Sequence, residues 1–422
     1  MTTQSIRATG SFKLIEVSEE LEFLFKTYKE IVNFLITYAN EHKITSFFRL
    51  CKETYKMLRE KYPQLKSQHI VTACRMATAI YRGYRKRKRR KKAKELPTLK
   101  RDVVWLHASL FRIDFKKKVL KLSLPSGRKE FHFCTADYHE KFKDWQVKEA
   151  QLFRNGKGVF VNVCFLKEVD IGEPKSCVGV DINENNVTLA LPNGQFVQII
   201  THEREIRTAY YVKRRKIQKK IRTGKRRIAL LRKYGNRERN RIKDLYHKVA
   251  NKIIEIAKPF GAIALEDLTH IQKSIKYTKE MNGRLHRWSF RQFQNIIAYK
   301  ATLNGLEVVY IDPAHTSSLC PRCGEKLSSK GHRILKCKKC GLEANRDLIG
   351  SLNILLKALK MWGGSVHPES QPMKTGGWNF EATTVIDWFS EWIAKKPDLA
   401  FVERTVRQRR QKGQEHRELP RL

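Results

Sequence analysis

Residues 177–200 read CVGVDINENNVTLALPNGQFVQII. The apolar run CVGVDI reads as a buried strand that carries one acid, Asp181, near its end. VTLAL and FVQII read as two more strands, joined at Pro192-Asn193-Gly194 by a hairpin of the Asn-Gly kind. From about Ile206 to Lys258 the pattern is that of a long basic helical hairpin, with Gly224 and Gly235 as expected breaks. A strand, GAIALED, follows and ends in Glu266 and Asp267. After the loose polar stretch HIQKSIKYTKEMNGRL come a helix from about Trp288 to Asn304, a strand, LEVVYID, a cysteine cluster and a final helix from Asn345 to about Lys360.

Three antiparallel strands, a helix, a parallel strand, a helix, a further strand and a last helix are the ribonuclease H-like order. In that order Asp181 belongs to the first strand, Glu266 to the end of its neighbour and Asp347 to the first turn of the last helix. Sites in open α/β sheets gather at such strand ends. Three converging carboxylates repel one another unless cations intervene, and all-oxygen ligands suit Mg²⁺. Two such ions about 3.5–4 Å apart can activate water and stabilise a leaving oxygen at a phosphodiester. Taken singly, Asp181 could cap a turn, Asp347 a helix, and Glu266 could pair with a surface lysine. Their joint order favours catalytic ligands. Asp267 points to the opposite face from Glu266 if the strand persists, and Asp312, before Pro313, reads as a turn residue.

Cys320-Pro-Arg-Cys323-Gly and Cys337-Lys-Lys-Cys340-Gly are two knuckles with metal spacing. Four thiolates give a closed tetrahedral Zn²⁺ site of the structural type. The glycine after each second cysteine permits the tight turn. His332 is surplus as a ligand. The remaining cysteines, Cys51, Cys74, Cys134, Cys164 and Cys177, are dispersed and read as reduced thiols.

The 422 residues carry 86 Lys+Arg against 42 Asp+Glu, a net charge of +44, which calls for a polyanionic partner. Nucleic acid is the first candidate and an acidic membrane surface the second. Two blocks concentrate the charge, with ten Lys/Arg in thirteen residues from Arg82 to Lys94 and ten in fifteen from Lys213 to Arg227. They nominate Arg85, Lys86, Arg87, Lys88, Arg89, Arg90, Lys213, Arg214, Arg215, Lys216, Lys219 and Lys220 for phosphate contact. No stretch approaches the roughly 20 apolar residues of a membrane span. MTTQSIRATGSF lacks the apolar centre of a signal peptide, so an intracellular soluble protein is expected.

The first 170 residues read as a small β-barrel interrupted by a helical insertion. Residues 5–17 form a strand, 18–63 have helical periodicity, and Ser67 to Arg85 form a further helix. Short strands with turns at Pro125-Ser126-Gly127 and at a type I′ step, Asn155-Gly156, follow. Residues 361–422 read as a charged, Gly- and Pro-rich tail without order, apart from VIDWFSEWIAKK as a possible short helix.

GVDINENN, ALEDLT, WSFRQFQNIIAYKATLNGLEVVYIDPAHTSSLCPRCG and LKCKKCGLEANRDLIGSLNIL resemble the TnpB family, RNA-guided DNA endonucleases of insertion sequences related to type V CRISPR effectors. The resemblance covers residues 177–356 closely and the N-terminal half in outline. It implies a multidomain α+β protein: a wedge β-barrel over 1–170 with a helical recognition insert at about 18–95, a RuvC-like nuclease domain in parts 171–319 and 341–360, a zinc ribbon at 320–340, and the tail. It implies Asp181, Glu266 and Asp347 as ligands of two Mg²⁺, one structural Zn²⁺, a guide RNA, and double- and single-stranded DNA as target, in a prokaryotic, nucleoid-associated cytoplasmic setting. The family follows its third Asp with Asn-Ala-Ala. Here Ile349-Gly350-Ser351 stands instead, with Asn353 kept, which is expected to remove a polar side chain near the site. Two rival readings remain: a guide-independent transposase or resolvase using the same acids, and a nuclease-derived RNA-guided DNA-binding repressor.

Overall fold

Alternation along one strand organises the C-terminal part of the chain. In β8 (Ser176–Ile182) Val178, Val180 and Ile182 turn to one face, and Cys177, Gly179 and Asp181 to the other. These positions come from a computed structural model that describes residues 2–93, 95–269, 278–329, 331, 333–362 and 383–386. Lys94, His332, the polar run 270–277 and most of the 361–422 tail lie outside the described residues. By contact density the chain divides into two compact units, Ser5–Glu168 and the remainder.

In the first unit β1 (Thr2–Leu14) leads into α1 (Glu19–Glu41), α2 (Phe47–Lys61) and α3 (Ser67–Arg89). Ser18 caps α1 by accepting the Leu21 N–H, and Leu21, Leu24, Phe25, Tyr28, Ile31, Val32 and Leu35 form its buried stripe. The strands that follow are β2 (Val103–Leu106), β3 (Phe111–Asp114), β4 (Val119–Leu124), β5 (Gly127–Cys134), β6 (Gln146–Asn155) and β7 (Gly158–Ile171). They complete a seven-stranded sheet ordered β2-β6-β7-β1-β5-β4-β3. Its two edges, β2 and β3, are successive in the chain. The hairpin at Asn155 differs from expectation: Asn155 pairs with Gly158, and its side-chain oxygen accepts the Lys157 N–H. Neither Asn155 nor Gly156 has a positive φ; Gly158 does, at +121°. A local side-chain turn has displaced the type I′ geometry.

In the second unit β8 pairs antiparallel with β9 (Asn186–Ala190), and β9 with β10 (Phe196–Ile200). Gly194, at φ +86°, closes the β9–β10 hairpin. Then come α4 (Glu203–Lys220), α5 (Lys225–Ala257), β11 (Gly261–Glu266), α6 (Lys279–Leu285), α7 (Phe290–Leu303) and β12 (Glu307–Ile311). Gly224 separates α4 from α5, whereas Gly235 lies inside α5 and breaks nothing. One interior glycine costs about 1 kcal/mol, too little to stop a helix whose later turns bury Ile242, Leu245, Val249 and Ile253. The small strands β13 (Leu327–Ser329), β14 (Ile334–Cys337) and β15 (Glu343–Asn345) form their own sheet before α8 (Arg346–Met361). The large sheet runs β12-β11-β8-β9-β10-β16, where β16 (Thr383–Ile386) pairs parallel with β10. That strand corrects the expectation of a wholly unordered tail and of a helix beginning at Val385. Ile386 packs against the core beside Val197, which gives the segment its apolar anchor.

One face of the large sheet is covered by α4, α5 and α7, and the other by α8. The α8 face is built from small residues, Gly179, Ala262 and Ala264, which lets the helix come close. A Cβ on Gly179 would stand 2.3 Å from the Ser351 carbonyl oxygen and 2.6 Å from the Leu355 nitrogen. Because both neighbours are backbone, they cannot give. Gly179→Ala should cost about 3 kcal/mol or more and lower the melting temperature by roughly 6–12 °C. An unchanged thermal transition would show that strand and helix do not approach this closely.

Candidate active site and metal centre

The same alternation assembles the acids. In parallel register Ala264 lies opposite Gly179 and Leu265 opposite Val180. Glu266 therefore follows beside Asp181, both on the α8 face. Asn345 caps α8, its side chain accepting the Asp347 N–H at 2.9 Å, which places Asp347 in the first turn. Asp181, Glu266 and Asp347 line one cavity of about 330 Å³, together with Asn183, Arg333, Arg346, Leu268 and Trp288.

Each acid is held by a neighbour that the sequence reading did not single out. Asn183 donates to Asp181 Oδ2 at 2.9 Å, and Asn186 to Asp347 Oδ2 at 3.1 Å. Thr316 donates to Glu266 Oε1 at 2.5 Å, and Arg333 Nη1 to Asp347 Oδ2 at 2.7 Å. Asn353 donates to the Thr316 and Leu319 carbonyls, so it fixes the loop that fixes Glu266. Asn185 accepts the Arg204 N–H and donates to Glu205, pinning the β8–β9 turn to the start of α4. Four successive polar residues, NENN, were the available signal for half of this support.

Burial, reinforced by the charges of Glu266 and Asp347, pushes the Asp181 carboxyl up to about 8. Burial also raises Glu266, opposed by the Thr316 hydroxyl and Lys357. Such a group of carboxylates, with no sulfur or imidazole among the cavity-lining residues named above, suits hard divalent cations such as Mg²⁺. Asp267 turns away and accepts the Thr269 N–H at 2.9 Å. Asp312 accepts the Ala314 N–H at 3.0 Å, as a turn residue does.

The departure Ile349-Gly350-Ser351 does not face the site as expected. Ile349 is fully buried against Cys320, Cys337, Leu342 and Ala344. Gly350 is the residue turned toward Asp181; a Cβ there would lie 3.0 Å from Asp181 Oδ2.

The four knuckle cysteines bring their Sγ atoms within 4.8 Å of one another, with Cys320–Cys340 at 3.5 Å and Cys323–Cys337 at 3.4 Å. Thiolates around one tetrahedral Zn²⁺ stand about 3.8 Å apart, given Zn–S bonds of about 2.3 Å. Gly324 and Gly341 take φ of +74° and +72°, as the knuckle turns require. The Cys340 backbone N–H is the leading cause that draws the Cys337 thiol down, whereas burial is the leading cause that raises Cys320.

Of the basic candidates, Arg85 to Arg90 are all exposed, on the last turn of α3 and just beyond it. Arg215, Lys216, Lys219 and Lys220 are exposed on α4. Arg214 is not free for phosphate: it pairs with buried Glu238 of α5. Lys213 sits with its ammonium 5.5 Å from the Tyr234 ring centroid. No described helix is long and apolar enough to cross a membrane.

A mixed sheet with two carboxylates near its strand ends, a third in the first turn of the helix that covers it, and a four-cysteine cluster just before that helix define an α/β protein with two candidate metal sites. The chain belongs to the TnpB family. It is 31% identical over 278 residues to the TnpB-like protein MJ0751 of Methanocaldococcus jannaschii, covering 62% of this chain and 99% of that one. It is 36% identical over 115 residues to the CRISPR-associated endodeoxyribonuclease Cas12f1 of Sulfoacidibacillus thermotolerans, covering 26% of each chain. The Cas12f1-like TNB domain family matches residues 290–354, and the uncharacterized protein MJ0013 family residues 24–123. Among solved structures, a Cas12f1–sgRNA–target DNA complex aligns with TM-score 0.36 and 17% identity over 83% of this chain and 99% of that one.

Proposed function

We propose that the chain is an RNA-guided, divalent-metal-dependent DNA endonuclease. The convergence of Asp181, Glu266 and Asp347 from two strands and a helix into one cavity is the observation that carries this reading. The second unit would be the RuvC-like nuclease, the cysteine cluster its zinc ribbon, and the first unit the wedge with its helical insert. The three carboxylates would hold two Mg²⁺, which when bound supply activated water and stabilise the leaving oxygen. Asn183, Asn186 and Thr316 keep the carboxylates aimed at that space, and Arg346 and Arg333 offer positive charge to a phosphodiester drawn into it. Guide RNA would lie against the exposed cations of α3 and α4, and pairing would read the target while the protein reads shape and backbone. The setting is a prokaryotic cytoplasm and a mobile element.

The test uses the protein purified from its host with the RNA it carries. Cleavage should require that RNA, and changing the guide segment should move the cut to the matching DNA. Cutting of the same DNA at an equal rate after RNase treatment would favour the transposase or resolvase. Relocated binding without cutting would favour the repressor.

A further inference from the structure

The acid cavity has a second side that phosphodiester hydrolysis does not use. Opposite in character to the acids and arginines, it is lined by Trp288 and Leu268. Trp288 remains part-exposed, and its ring meets Phe290 edge-on with centroids 5.4 Å apart. Its indole Nε1 is buried without a hydrogen-bond partner among the described residues. Trp288 packs in part against the core beneath α4, α5 and α7, but the unpaired indole N–H costs stability that phenylalanine in the same place would not.

The segment carrying Trp288 is tied down on both sides. Arg284, in α6, forms an ion pair with Glu184 at 3.0 Å, on the β8–β9 turn just beyond Asp181. Ser289 accepts from Arg207 Nη2 at 3.0 Å, and Arg207 is itself locked to buried Glu203 and Tyr246. Two tethers thus hold a large aromatic beside the carboxylates.

We infer that Trp288, backed by Leu268, forms a nucleobase subsite in which the base next to the cleaved phosphodiester stacks on the indole. A phosphodiester seated on the three acids brings its flanking nucleosides with it, and Trp288 and Leu268 are in the lining of the same cavity. Stacking of this kind tolerates any base, because every base has a π-face. It also requires a base unstacked from its neighbours, so the subsite selects a locally single strand over duplex. The inference rests on the endonuclease reading.

The test crosses a change in the protein with a change in the DNA, using RNA-loaded full-length chain and a matched target. An abasic residue is placed in turn on each side of the cut. With wild type, one of the two should slow cleavage roughly five- to a hundredfold. Trp288→Ala should slow the intact target by a similar factor, and the abasic change should then add little, since both remove the same contact. Trp288→Phe, which keeps a ring, should retain most of the rate. Equal binding of target and unchanged melting temperature separate this from misfolding, and Trp288→Leu, which keeps apolar bulk but has no ring to stack on, carries the comparison if the alanine variant is unstable. Penalties that multiply independently, or no abasic effect at either position, overturn the subsite while leaving the nuclease reading intact. A wild-type protein that cuts no guide-matched DNA overturns both.

Discussion

Asp181→Asn should reduce cleavage below detection and at the same time raise the melting temperature of the metal-free protein. The two effects have one cause. Asp181 is enclosed with Glu266 and Asp347, and its carboxyl is pushed up to about 8 by burial and by those two charges. A carboxyl whose folded pKa lies above its unfolded value stabilises the fold while protonated. That stabilisation is fully present below about pH 4 and is lost as pH rises through the folded value near 8. The asparagine variant escapes this loss, so its advantage should be small at pH 5 and largest at pH 8, roughly 3–10 °C in melting temperature. Millimolar Mg²⁺ should stabilise wild type more than the variant, because only the wild-type site offers all three charges to the ion. Thermal unfolding at both pH values, with chelator and with Mg²⁺, measures the stability effect. A variant that cuts at the wild-type rate removes Asp181 from the site. One that melts lower at pH 8 in chelator removes the like-charge argument.

The acids were legible because a strand has period two and a helix a first turn. Once CVGVDI and GAIALE are set in parallel, parity alone puts Asp181 and Glu266 on one face. The cysteine knuckles were legible from spacing, and their glycines from the turn each must make. What the sequence hid is what side chains do across long separations. Asn353 reaches the Thr316 and Leu319 carbonyls, more than thirty residues away, and no periodicity announces that. Arg214 looked like any cation in a run of them, yet buried Glu238 claims it from the neighbouring helix. The Asn155 hairpin was misread because an asparagine side chain can close a turn from outside the φ > 0 region. Ile349 was misplaced because its environment depends on the cysteine cluster packing against α8, which composition cannot reveal.

That packing sets up the second large effect: Cys337→Ser should silence the site without touching any acid. Cys337 is fully buried at the centre of a small core with Cys320, Leu342, Ala344 and Ile349. In such small metal sites coordination supplies most of the folding energy, so loss of one thiolate unravels the knuckles. The consequence travels a short distance. Arg333 directly precedes β14, and its carbonyl accepts the Arg346 N–H at 2.8 Å at the start of α8. Ile334 pairs with Asn345, the cap that positions Asp347. When β14 frays, Asp347 loses both the Arg333 guanidinium and the backbone that aims its carboxylate. Bound zinc should fall from about one per chain to none, and cleavage by at least about a hundredfold, the upper range for removing support around a metal ligand. Cys51→Ser, in α2 of the other unit, should change neither. Elemental analysis of reduced protein, run beside the cleavage assay, decides the matter. Full cleavage by zinc-free Cys337→Ser would mean that α8 holds Asp347 in place without the ribbon.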